Sequence, residues 1–299
     1  MFTSLWKVCG VVCVSTLVAA PALAGGAWVP AAGAGDVQFG YSEKTARASW
    51  DPYGNTRVSR SWHVFRYGYS GGEVGVGHDV SVRYLVLYLD GLEGQRGDME
   101  RNRGFSELFL GLKRQLKQGT WPMAVALNIR TSYLYDLTGP YDRHVFDEDG
   151  EFKGESPEWR GLLGEDYGLT YLVSRSLAES GWFNLEVGYT YRTGNLADEI
   201  PLYVEVGYPL PWRSLIAKGT YSWIHGIGNE GESRAFDDRF GCSVTNCFPD
   251  ASRMVIGAAL FRNFGERRRW WAEAGYNQWI WGRSSRKYEE PYLALGRRF

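Results

Sequence analysis

The chain has 299 residues, a formal net charge of −1, 22% charged residues and a mean hydropathy of −0.32. No apolar run reaches the ~18 residues that mark a membrane-spanning helix. The 14 Phe, 13 Trp and 19 Tyr are too many for a disordered chain, and near-neutral charge gives no electrostatic case for nucleic acid. Two classes remain: a large all-β soluble domain, or a transmembrane barrel whose strands hide their hydrophobicity in alternation.

Lys7, the apolar stretch from Val8 to Ala20 and then Pro21-Ala22-Leu23-Ala24 predict a secretory signal peptide over residues 1–24, cut after Ala24. The stretch is shorter than the ~20 residues a spanning helix needs. Residues 25–299 are then one exported barrel domain led by a short periplasmic segment. Cys9 and Cys13 fall within the leader. Cys242 and Cys247 remain, and in an oxidising compartment two thiols five apart are expected to close a small loop disulfide. No second Cys or His pair lies near them, so neither a metal nor any other cofactor is expected.

The mature start carries Gly26-Ala27-Trp28-Val29-Pro30, a glycine pair at Gly33 and Gly35, Tyr41-Ser42 and Trp50-Asp51-Pro52-Tyr53-Gly54. This resembles the opening of XagA-like barrels linked to bacterial surface-polysaccharide and biofilm operons. The resemblance covers about a third of the mature chain. It implies a surface role in polysaccharide deposition or adhesion, and carries no catalytic motif.

From Gly35 onward, period-2 alternation predicts twelve strands at 35–48, 59–76, 80–90, 104–117, 121–135, 161–178, 182–193, 199–209, 213–226, 251–264, 269–282 and 286–299. Between Trp182 and Arg192, Phe183, Leu185, Val187, Tyr189 and Tyr191 share one face, and Asn184, Glu186, Gly188 and Thr190 the other. Connections after even-numbered strands are short, whereas 91–103, 136–160 and 227–250 are long, charged loops. That segregation fits an outer-membrane barrel, with turns in the periplasm and loops outside, better than a soluble sandwich. The predicted fold is a single closed antiparallel transmembrane β-barrel of about twelve strands. In the second segment the alternation breaks at Gly71-Gly72, which predicts either a bulge or a hairpin there.

Strand parity points Arg66, Arg83, Glu107, Lys113, Asn128, Arg130, Glu186, Arg192, Glu205, Lys218, Glu273 and Asn277 inward, with Lys44, Asn184 and Glu290 beside them. These charges either pair across strands and brace the barrel or line a polar path for small solutes. A two-residue turn at Pro211-Trp212 sets Glu205 opposite Lys218, and a two-residue slip leaves them diagonal neighbours. Trp62, Phe109, Tyr203, Trp271 and Tyr292 share the inward parity. They either fill a narrow interior or form a track for saccharides. Tyr41, Tyr67, Tyr69, Tyr84, Tyr88, Tyr133, Tyr189, Tyr191, Tyr221 and Trp223 are expected outward, as interfacial girdles.

Ser61 and His63 share a face read as outward, the one arrangement comparable to the lipid-facing nucleophile and base of outer-membrane phospholipases. No accompanying motif supports catalysis, and no enzymatic activity is expected. The acidic run Asp147 to Glu151 lacks the ligand spacing of a calcium loop and reads as solvated. Finally, Leu293, Leu295 and the terminal Phe299 alternate as in the last strand of Gram-negative outer-membrane proteins, which that strand resembles. The resemblance implies recognition by the barrel-assembly machinery, from which Arg297 departs. The expected surroundings are outer-membrane lipid and lipopolysaccharide. The expected function is a narrow channel for a small solute, a saccharide among the candidates, with a surface role in exopolysaccharide secretion or adhesion as the rival.

Overall fold

The structure is a computed structural model. It describes residues 26–50, 53–95, 98–131, 144–146, 152–155, 165–177, 181–193, 198–211, 215–227, 252–283 and 285–299, without the side chains of 59–62, 91–103, 144–146 and 152–155. The leader, the Cys242–Cys247 pair, the acidic run at 147–151 and Tyr133 lie outside the described residues, as do the side chains of Ser61 and Trp62.

Among the described residues fourteen strands follow in chain order: β1 (Gly35–Trp50), β2 (Thr56–Gly77), β3 (Val80–Gln95), β4 (Asp98–Lys117), β5 (Met123–Thr131), β6 (His144–Phe146), β7 (Phe152–Glu155), β8 (Glu165–Leu177), β9 (Gly181–Arg192), β10 (Asp198–Pro209), β11 (Leu215–Ile227), β12 (Ser252–Phe264), β13 (Trp270–Arg283) and β14 (Ser285–Arg298). All but β6 and β7 form one closed antiparallel barrel in which sequence neighbours pair, β5 pairs with β8, and β1 meets β14. Closure leaves no strand edge unpaired, the condition for spanning lipid with strands. The short β6–β7 ribbon lies in the connection between β5 and β8 and has no counterpart in the sequence reading.

Alternation has the expected physical cause. On the outer face Phe39, Leu127 and Leu293 are each 60% exposed or more, a band of apolar surface far larger than a water-facing barrel tolerates. Aromatics ring both ends of this band. Trp121, Tyr208, Phe264 and Trp270 are exposed near the short turns, and Tyr88, Phe105, Tyr167 and Tyr191 farther along the strands. The barrel is therefore built to span a membrane with its strands.

Both described chain ends and the short turns share one rim. The turn between β2 and β3 is typical: His78 and Asp79 take φ of 52° and 58°, the left-handed pair that a two-residue hairpin turn requires. On that rim Gly35 and Phe299 exchange backbone hydrogen bonds of 3.2 and 3.0 Å, fixing the seam between β1 and β14. Phe299 itself is exposed.

Register corrects the reading of β2. Directly opposed antiparallel residues share a face. Tyr69 stands opposite Gly40, Tyr67 opposite Ser42 and His63 opposite Ala46, so these three face inward. Arg66 stands opposite Glu43 on the outer face, and its Nε donates to Glu43 Oε2 at 2.8 Å. Arg66 is thus not a lumen residue, and Tyr67 and Tyr69 are not girdle residues. No bulge or hairpin occurs at Gly71-Gly72, because each glycine pairs one-to-one with both neighbouring strands. Room for the tyrosine comes from Gly40, over which the Tyr69 ring lies; a Cβ there would come within 2.0 Å of that ring. His63 is buried and stacked on Phe65, which removes the lipid-facing base of the hydrolase comparison.

A second correction concerns residues 91–103, expected as a loop. β3 and β4 stay paired out to Gln95 and Asp98, so the connection is a long projecting ribbon. In β10 and β11 the two-residue slip is realised: Glu205 pairs with Thr220 and Gly207 with Lys218.

Candidate functional site

The candidate site is the barrel interior. Register and burial put Arg83, Glu107, Lys113, Asn128, Arg130, Glu186, Arg192, Glu205, Lys218, Glu273 and Asn277 on the inner face, with Lys44, Asn184 and Glu290. Phe109, Tyr203, Trp271 and Tyr292 face inward too. A charged side chain in so narrow a space must find an opposite charge or a hydrogen-bond partner, and the register provides them.

Away from the short-turn rim, a ladder of ions draws on five strands, β5, β8, β9, β10 and β12. Arg130, Asp166 and Arg192 stand opposite one another on β5, β8 and β9. Arg130 Nε donates to Asp166 Oδ2 at 2.7 Å, and Arg192 Nη1 to Glu199 Oε1 at 2.9 Å, with Arg253 Nη1 3.8 Å from the same oxygen. Across from it, Lys44 Nζ sits over the rings of Tyr67, Trp279 and Tyr288 at 5.0, 5.2 and 5.9 Å. The ladder pairs its charges across neighbouring strands. Arg192→Ala, which strips partners from both Asp166 and Glu199, is expected to cost about 3 kcal/mol, whereas Arg66→Ala on the half-exposed outer pair should cost under about 1 kcal/mol. Urea midpoints of the two variants check the contrast.

Toward the short-turn rim the interior holds a feature the sequence reading missed. Residues 26–34, expected as a periplasmic lead-in, enter the barrel mouth and run along its inner wall. Ala27 is wholly buried against Ala124, Ala126 and Leu172, and its N–H donates to Ser174 Oγ at 2.7 Å. Gly26 lies so close to β9 that a Cβ would fall 2.2 Å from Asn184 Oδ1. Lys113 Nζ donates to the carbonyls of Gly26 and Trp28 at 3.0 and 2.7 Å, and to Glu73 Oε2 at 2.8 Å. Glu73 accepts a further bond from Ser81 Oγ. The segment then bonds Gly33 N to Gly75 O at 2.9 Å before β1 begins. Gly75 is what lets it approach, since a Cβ there would lie 2.2 Å from Pro30 O. This strap narrows the mouth. Its sequence signals were the small residues on both contacting surfaces, too common to read without the fold.

Beside the strap is an open cavity of about 600 Å³, lined by Trp28, Trp182, Phe261 and Trp271 with Glu205, Lys218 and Glu273. The indoles lie against the wall where glycines face them: a Cβ on Gly207 would come within 2.6 Å of Trp182, and one on Gly296 within 2.2 Å of Trp271. Gly296→Val is therefore expected to push Trp271 off the wall at a cost of roughly 1–3 kcal/mol, seen as a lower unfolding midpoint and altered tryptophan fluorescence. Phe261 bridges the two indoles, 5.8 Å from Trp182 and 5.5 Å from Trp271. Beside the rings Lys218 pairs with Glu273 and lies 3.5 Å from Glu205. Glu205 accepts from Trp182 Nε1 at 2.6 Å, Asn184 Nδ2 at 3.2 Å and Tyr203 OH at 2.9 Å. Glu273 Oε1 accepts from Tyr292 OH at 2.7 Å.

No family model matches the chain, and no curated protein matches it either. Among solved structures, an outer membrane channel from Pseudomonas putida aligns over 92% of this chain and 98% of its own, at 13% identity and a TM-score of 0.59. The fold is that of outer-membrane β-barrels. The beta domain of the Bordetella autotransporter Brka has it as well, at 12% identity and a TM-score of 0.50, with 89% and 100% covered. Such likeness is of fold. Within this outer-membrane-type barrel, the chemistry is what the inner wall itself presents. Among the described residues no group of three or more His, Cys, Asp or Glu is placed to hold a metal ion.

Proposed function

We propose that the protein is a narrow outer-membrane channel for small solutes of neutral or mixed polarity. The observation that carries this is a polar, mixed-charge inner wall inside an apolar-skinned closed barrel, interrupted by one apolar cluster around Leu85, Leu87, Phe261 and Trp271 and narrowed at one mouth by a strap. A barrel meant only as an anchor has no need to bury so many ionised side chains around its axis, given the desolvation each one costs. Because both signs alternate, the path favours neither anions nor cations strongly.

In this reading the leader is removed after Ala24, and Phe299 ends the strand read by the assembly machinery. The short-turn rim, with strap and cavity, faces the periplasm. Outer-membrane lipid and lipopolysaccharide contact the outer band. The test is swelling of liposomes carrying the purified mature barrel. Small uncharged solutes should enter faster than in protein-free liposomes, with rates falling steeply as solute size grows. Rates equal to those of protein-free liposomes for every solute would overturn the channel reading.

A further inference from the structure

We propose that the cavity beside the strap is a binding site for a neutral saccharide of one or two rings. The inference deepens the channel reading, on which it rests only for its physiological setting. Three observations meet here. The volume of about 600 Å³ lies within the range of small-ligand sites. Two indoles are laid against the wall by Gly207 and Gly296 and joined by Phe261, which meets Trp182 edge-on at 79° and Trp271 at 31°, so the lining offers a contiguous aromatic cluster. Such a surface matches the C–H face of a pyranose.

Glu273 lines the cavity, is only 3% exposed, and its Oε2 has no hydrogen-bond partner, although Oε1 is held by Tyr292. A buried carboxylate oxygen without a donor calls for one. A hydroxyl supplies it. Lys218, between Glu205 and Glu273, decides against the other aromatic-seeking ligand, an organic cation: an ammonium already occupies the position between the acids that such a cation would need. An organic anion is disfavoured by the three lining carboxylates, Asp36, Glu205 and Glu273, which outnumber the two cations, Lys218 and Arg298. A ligand bearing both donors and acceptors but no charge fits acids and ammonium alike, and sugar hydroxyls have that character. The orphaned oxygen and the ring surface lie on the same strand, β13, two residues apart at Trp271 and Glu273.

The test is equilibrium titration of the mature barrel in detergent, following tryptophan fluorescence, with maltose and cellobiose as probes and choline and benzoate as controls. Either saccharide should give a saturable change that the controls do not. Trp271→Ala should raise its half-saturating concentration about tenfold, and Glu273→Gln should weaken it less, since an amide oxygen still accepts. Trp271→Phe, which keeps a ring and the fold, should fall between wild type and Trp271→Ala; heat-modifiable gel mobility verifies folding of each variant. The proposal is overturned if neither saccharide gives a saturable change, if choline or benzoate gives the larger one, or if folded Trp271→Ala or Trp271→Phe binds as wild type. Binding is read without transport, so a barrel that swells liposomes yet binds no saccharide refutes this inference alone. One that binds saccharide and conducts nothing refutes only the channel.

Discussion

Lys113→Met is expected to destabilise the barrel by about 3–5 kcal/mol, the scale for breaking a buried ion pair from one side. Lys113 is completely buried, and its ammonium joins β2, β4 and the strap: Glu73 on one side, the carbonyls of Gly26 and Trp28 on the other. Methionine fills a similar volume but takes the ammonium from Glu73, which keeps the Ser81 hydroxyl, and from the carbonyls of Gly26 and Trp28. Pairing the change with Glu73→Gln removes the isolated charge. The double variant should therefore be more stable than Lys113→Met alone, by roughly 1 kcal/mol or more. Unfolding in urea, followed by loss of the compact band on unheated gels, measures both. A single variant within about 1 kcal/mol of wild type would mean that the pair does not anchor the strap.

Deleting residues 26–34 is the second large effect, and it acts on transport. The strap lies over the walls of β5 and β8 and reaches Asn184 on β9, so its removal bares Ala124, Ala126, Leu172 and Ser174 to the mouth. Lys113 keeps Glu73, so no buried charge is isolated and the barrel should still fold. Uptake of a disaccharide into liposomes should rise severalfold relative to the intact protein. An unchanged rate in a folded deletion variant would place the constriction elsewhere.

Much of the fold was legible because period-2 alternation survives in any strand with lipid on one side and polar groups on the other. Trp182 to Arg192, and the regular alternation of short turns with long loops, identify the barrel from sequence. β2 was the exception, for a physical reason. Tyr67 and Tyr69 look like girdle residues and Arg66 like a lumen residue, and only the cross-strand partners, Gly40 beneath Tyr69 and Glu43 beside Arg66, reverse them. Parity within a strand cannot detect a glycine on its neighbour. The same limit hid the strap: Gly26-Ala27-Trp28-Val29-Pro30 carried a family resemblance in sequence, while its burial depends on Gly75, Lys113 and Ser174, all remote along the chain. Interior pairs were half legible. Glu205 and Lys218 were foreseen as opposite or diagonal, but that Lys218 also reaches Glu273 on β13 follows from barrel curvature rather than from the hairpin.

Single-channel recording in planar bilayers, comparing the intact mature barrel with the form lacking residues 26–34, tests the central claim most directly. Small, weakly selective conductance steps are predicted for the intact barrel, and clearly larger ones, still weakly selective, for the strapless form. No steps above background from either folded protein would contradict the claim that this wall of paired charges encloses a path across the membrane.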